Sequence, residues 1–73
     1  MTKILITEFI NQDSLDNLKK YFDIKYDENL YENKLELERI IHNYEGLIIR
    51  NKTQVTSDVL KNAKKLRFIG RLG

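Results

Sequence analysis

The chain has 73 residues, a third of them charged, a formal net charge of +2, one histidine and no cysteine or proline. That length allows one small domain with a thin core. The missing cysteines exclude a disulfide framework and a thiolate metal site, the single histidine argues against a His-built one, and apolar runs of three or four residues are too short to span a bilayer.

Met1-Thr2-Lys3-Ile4 enters a strand directly and carries no signal-peptide pattern, so the expectation is a soluble cytoplasmic protein. Ile4-Leu5-Ile6 has no polar break, which suits a central strand buried on both faces. Thr7-Glu8-Phe9 forms the loop at its carboxyl end. Asn11 or Asp13 can cap a first helix, whose buried face is marked by Leu15, Leu18 and Phe22. Asp23 to Asp27 alternates, with Ile24 and Tyr26 on one side, as a half-exposed edge strand does. A polar loop with Leu30 and Tyr31 follows.

Asn33 and Glu36 have capping-box spacing, and Leu37, Ile40, Ile41 and Tyr44 form a helical stripe behind them. After Gly46, Leu47-Ile48-Ile49 is a second wholly apolar strand. Arg50-Asn51-Lys52-Thr53 is the loop beyond it. Thr56 caps a third helix with Asp58 in its first turn. Val59, Leu60 and Ala63 are expected inside, with Lys61, Lys64 and Lys65 in the last turn, where the helix dipole favours cations. Leu66 to Ile69 is read as a final strand that runs into Gly70-Arg71-Leu72-Gly73. A glycine loop of this kind leads into a further element, so the chain reads as the first part of a longer protein.

The order β-α-β-α-β-α-β predicts an α/β fold, a three-layer open parallel sheet with helices on both faces. Right-handed crossovers with the alternating strand at an edge give the strand order 2-1-3-4. Ligands of such sheets sit at the carboxyl ends of the strands, beside the point where the chain reverses direction. Here two loops border that point, residues 7–9 and 50–53.

Arg50 stands in one of them. A guanidinium can grip a carboxylate or phosphate with paired hydrogen bonds, and Asn51, Lys52 and Thr53 add donors. The segment is either an anion-recognition loop or a solvated polar loop. Arg71, between Gly70 and Gly73, is either a second anion contact on the same sheet edge or a chain terminus that happens to carry a charge. His42, on the polar flank of the second helix, has no acid-base partner in the sequence and reads as a surface residue. Glu8 alone does not make the multi-carboxylate pocket of a phosphorylated receiver domain, and no role is assigned to it. The basic segment 59–73 lacks interleaved aromatics beyond Phe68, which argues against a nucleic-acid partner. No Walker loop, dinucleotide fingerprint or nucleophile motif occurs.

Ile4 to Glu8, Gly46 to Thr56 and Leu66 to Gly73 together resemble the start of the NAD-dependent D-isomer-specific 2-hydroxyacid dehydrogenases, the phosphoglycerate dehydrogenase-like branch above all. The resemblance implies that residues 1–73 are the N-terminal half of a flavodoxin-like substrate-binding (catalytic) domain, with the Rossmann domain absent from this chain. The catalytic Arg, Glu and His of the family lie downstream, so no catalytic, cofactor-binding or metal-ligating residue is assigned, and His42 is not the catalytic histidine. By position, Arg50 and Asn51 match the substrate-side loop, and Arg71 matches the arginine before the carboxylate-binding loop. These arginines are implied to help hold the substrate's phosphate in the phosphoglycerate branch. The resemblance further implies a small anionic 2-hydroxy acid as substrate and NAD as the cofactor of the full-length protein, not bound by this piece. It also implies a homodimer or higher homo-oligomer. The alternative from another class is a free-standing flavodoxin-like module that binds a partner without catalysis.

Overall fold

Alternation along the strands divides the apolar residues into two cores, one on each face of a sheet. In the computed structural model, which describes residues 1–72, the strands are β1 (Lys3–Ile6), β2 (Asp23–Tyr26), β3 (Gly46–Ile49) and β4 (Phe68–Arg71). The helices are α1 (Gln12–Lys19), α2 (Lys34–Ile40) and α3 (Ser57–Asn62), with 3₁₀ turns at Leu30–Glu32 and Ile41–Asn43. Gly73, the end of the segment read as a glycine loop, lies outside the described residues.

The sheet is wholly parallel, in the order β2-β1-β3-β4. Successive side chains of a strand point to opposite faces. Leu5, Leu47 and Ile49 therefore share one face, where they meet Leu37 and Ile41 of the second helical segment and Val59 of α3. Ile4, Ile6 and Ile48 share the other, with Leu15 of α1 and Ile10. β1 and β3 are covered on both sides and contain almost nothing but Ile and Leu. β2 alternates exposed and half-buried residues, as an edge strand with one wet face must.

Local chemistry sets the helix ends. Asn11 caps α1 by accepting a hydrogen bond from the Ser14 N–H at 2.8 Å. Thr56 does the same for α3 through Val59 N–H at 3.3 Å. Asn33 caps α2 through Glu36 N–H at 3.2 Å, but the reciprocal half of the expected capping box is missing. The Glu36 carboxylate instead takes both prongs of the Arg39 guanidinium, at 2.6 and 2.7 Å. A charge-assisted paired contact one turn away outcompetes a single backbone N–H.

Other expectations shift in detail. The last strand starts at Phe68 and runs through Arg71, two residues later than the apolar run suggests. Leu66 folds down onto the core beneath α3 as part of the connection, and its N–H closes a turn onto the Ala63 carbonyl. Leu60, expected inside, is half exposed, because Val59 and Ala63 already fill the inner face of a helix of only six residues. α3 also ends at Asn62, so only Lys61 lies in its last turn, and Lys64 and Lys65 belong to the turn that follows.

A glycine starts β3 for a steric reason. The Phe68 ring of β4 lies over Gly46, and a Cβ built there would sit 2.3 Å from the ring. The two residues are directly paired in the ladder, so the ring occupies the space a side chain would need.

Candidate functional site

β1 and β3 end side by side, and the loops that leave them meet above the sheet. Thr7 and Glu8 continue the buried run of β1, at 0% and 3% exposure. A carboxylate at that depth needs its lone pairs satisfied. Glu8 obtains this from the loop after β3. Its Oε2 accepts the Arg50 N–H at 2.9 Å, the Thr53 N–H at 2.7 Å and the Thr53 hydroxyl at 2.5 Å. Its Oε1 accepts the Lys52 N–H at 3.0 Å. No lysine or arginine side chain pairs with Glu8 among the described residues, so its charge is held by oriented dipoles alone.

Those dipoles set its acidity. Burial alone would raise the Glu8 pKa. The Thr53 hydroxyl and the backbone N–H groups of Arg50, Thr53 and Lys52 outweigh it and bring the carboxyl down from 4.5 to about 2. The group is ionised at neutral pH and can only accept. The Thr53 hydroxyl proton is therefore committed to Glu8, and the 2.7 Å contact between the Thr7 and Thr53 hydroxyls must run with Thr7 as donor. The result is a fixed relay, Thr7 to Thr53 to Glu8, beneath the loop.

Above this floor the cations face outward. Arg50 is half-buried, and its Nη1 donates to the Phe9 carbonyl at 3.2 Å, which ties it back to the β1 loop. The rest of the fork opens onto solvent. Arg50 lines three adjoining depressions. A cleft of about 340 Å³ runs from Phe9 past Tyr31 to Asn51 and Lys52. A second, of about 310 Å³, lies toward Asn11, Ser14 and Leu72. A third, of about 280 Å³, is formed by Arg50, Asn51, Arg71 and Leu72. Lys52 places its ammonium 5.2 Å from the centre of the Tyr31 ring, at the wall of the first cleft.

The structure thus brings Arg50, Asn51 and Arg71 to the rim of one depression at the carboxyl edge of the sheet. Arg71 reaches it as the last residue of β4, paired with Ile49, rather than from within a glycine loop. His42 lies in the 3₁₀ turn after α2, exposed, on an element that contributes nothing to these clefts. Among the described residues no cluster of His, Cys, Asp or Glu could hold a metal ion, and no helix is long and apolar enough to cross a membrane. Sequence reasoning missed Glu8, together with the roles of Thr7 and Thr53. No local signal marks Glu8 as buried, since a lone carboxylate two residues past a strand is ordinarily solvated.

The family profile for "D-isomer specific 2-hydroxyacid dehydrogenase, catalytic domain" matches residues 4–73. The chain belongs to this family. It is similar to the D-3-phosphoglycerate dehydrogenase of Methanocaldococcus jannaschii, at 36% identity over all 73 residues. It is also similar to the (S)-sulfolactate dehydrogenase of Chromohalobacter salexigens, at 30% identity over the same span. A crystal structure of a Pyrococcus horikoshii protein superposes on 97% of the chain with a TM-score of 0.89 and 31% identity. The chain spans only 14% of the length of the first of these dehydrogenases, 24% of the second and 21% of the crystallised protein. The four-stranded parallel sheet described above is thus the fold of this stretch of a member of the family.

Proposed function

We propose that this chain is the N-terminal half of the substrate-binding domain of an NAD-dependent D-2-hydroxyacid dehydrogenase. In this reading Arg50, Asn51 and Arg71 grip the distal anion of a small hydroxy acid. The observation that carries it is the convergence of two guanidinium groups and one amide on a single open depression at the carboxyl edge of the sheet. Ligands of open α/β sheets bind on that edge. The printed names of two relatives agree in chemistry, since phosphoglycerate and sulfolactate each carry a second strong anion beside the hydroxy acid.

Division of labour follows from the donors in place. Arg50 keeps one N–H on the Phe9 carbonyl, which fixes the plane of its fork and leaves the other donors for a carboxylate, sulfonate or phosphate. Asn51 adds a neutral donor beside it. Arg71 adds charge from β4 on the far side of the depression.

The nicotinamide cofactor implied by the family would accept or supply the hydride. The residues described here do not fit it. A dinucleotide cradle needs glycines that let backbone approach the pyrophosphate. Gly46 is covered by the Phe68 ring, and Gly70 faces Ile48 within the sheet. In this reading the cofactor site, the acid-base group and the substrate's reacting end are supplied by chain outside these residues.

The test is an assay of the enzyme that carries this segment, with D-2-hydroxy acids that bear or lack a second anion and with NAD. NADH production favouring the anion-tailed acids supports the reading. A stable protein with no dehydrogenase activity on any of them removes it in favour of a binding module.

A further inference from the structure

Glu8 is the one buried carboxylate of the site, and its four hydrogen bonds all go to the loop that carries Arg50. We propose that Glu8 is a positioning residue for substrate selectivity. It acts as a built-in anion that occupies the backbone N–H groups of Arg50, Lys52 and Thr53 and so leaves the recognition of an anionic tail to the outer side of the loop, where the Arg50 fork and Asn51 stand. The inference rests on the reading of Arg50 given above and goes beyond it.

A loop with three inward N–H groups is by itself a small anion nest. Here the nest is filled from below. The N–H groups of Arg50, Lys52 and Thr53 point at Glu8, so none of them can turn to a ligand without abandoning a buried carboxylate. Two consequences follow. A ligand anion meets the loop from its outer side, where the Arg50 fork and the Asn51 amide are. The direction of the fork is also set twice, by Glu8 through the Arg50 backbone N–H and by the Phe9 carbonyl through Nη1. Phe9 follows Glu8 directly, so the two anchors move as one unit. An unanchored guanidinium still attracts anions but loses the fixed plane that paired hydrogen bonds need.

Glu8→Gln tests this with little change of shape. With its oxygen in the Oε2 position the amide keeps a neutral, weaker acceptor for Arg50 and Thr53 but turns its nitrogen toward the Lys52 N–H, which needs an oxygen. Two readouts apply to the enzyme that carries this segment. The first is the ratio of kcat/KM for an anion-tailed hydroxy acid to that for a tail-less one. Glu8→Gln should lower this ratio about tenfold or more, mainly through KM for the tailed substrate. The second is hydrogen exchange at the amides of residues 50, 52 and 53, which should quicken in the same variant.

A folded Glu8→Gln enzyme with an unchanged ratio, or with equal losses on both substrates, overturns the proposal. If that variant does not fold, Thr53→Val decides. It removes the hydroxyl donor and keeps the backbone bonds, so the ratio should fall about threefold, and no fall overturns the proposal. Arg50→Ala separates the two layers of the argument. If it leaves the ratio unchanged, the reading of the site fails and takes the proposal with it. If it lowers the ratio while Glu8→Gln does not, only the role of Glu8 fails.

Discussion

Glu8 accepts both the backbone N–H and the side-chain hydroxyl of Thr53, at 2.7 and 2.5 Å, across 45 positions of sequence. That pair joins the ends of β1 and β3 at the point where the sheet reverses its direction of winding. It makes the floor of the candidate site a folded-state property, since neither loop can hold its shape without the other.

The pairing predicts acid sensitivity. The Glu8 carboxyl is depressed in the folded state, from 4.5 to about 2. Its contribution is therefore fully present above the unfolded value and is lost as pH falls through the folded one. The gap corresponds to about 3 kcal/mol. Urea unfolding as a function of pH should show stability falling between pH 4.5 and about 2, and Glu8→Gln should flatten that slope. An equal slope in the variant would assign the acid sensitivity to other carboxylates.

Gly46 and Phe68 form a second coupled pair. Gly46→Ala puts a methyl group into the space of the Phe68 ring, and the resulting overpacking should cost about 1–3 kcal/mol in denaturant unfolding. In a Phe68→Ala background the same change should cost much less, because the obstructing ring is gone. Additive losses in the double variant would show that the ring is not what excludes a side chain at position 46.

The isolated 73-residue chain should show no dehydrogenase activity and no measurable affinity for NADH. The described glycines offer no approach to a pyrophosphate, because one is covered by an aromatic ring and the other faces a strand. Fluorescence titration with NADH is the check, and micromolar binding to this chain would contradict the account.

Much of the fold was legible in the residues. Ile4-Leu5-Ile6 and Leu47-Ile48-Ile49 suit strands covered on both sides, and the alternation at 23–27 fits an edge, so right-handed crossovers give 2-1-3-4 as the simplest order, which is the one observed. Asn11, Asn33 and Thr56 were readable as caps because capping is a local interaction. The errors came where local pattern and tertiary packing disagree. Leu66 is as apolar as a strand residue but is used to seal the turn after α3. Leu60 has helical spacing but sits beside the inner face of a helix too short to need it.

The site was half legible. Arg50, Asn51 and Arg71 could be placed on one edge from topology, because strand ends carry their loops with them. Glu8 could not be understood that way. Its meaning lies in partners 42 to 45 positions away, and a single acidic residue carries no sign of whether it is solvated or buried.

The measurement that bears most directly on the account is steady-state kinetics of Arg50→Ala in the longer dehydrogenase proposed above, on a hydroxy acid with a distal anion and on one without. Losing paired, charge-assisted hydrogen bonds should raise KM for the anion-tailed substrate by about one to two orders of magnitude, equivalent to about 1.5–3 kcal/mol, with a much smaller effect on the other. Arg50→Lys should recover only part of the loss, because a point charge does not reproduce the fork. Equal losses on the two substrates, or none on either, would contradict the assignment of Arg50 as the anion grip.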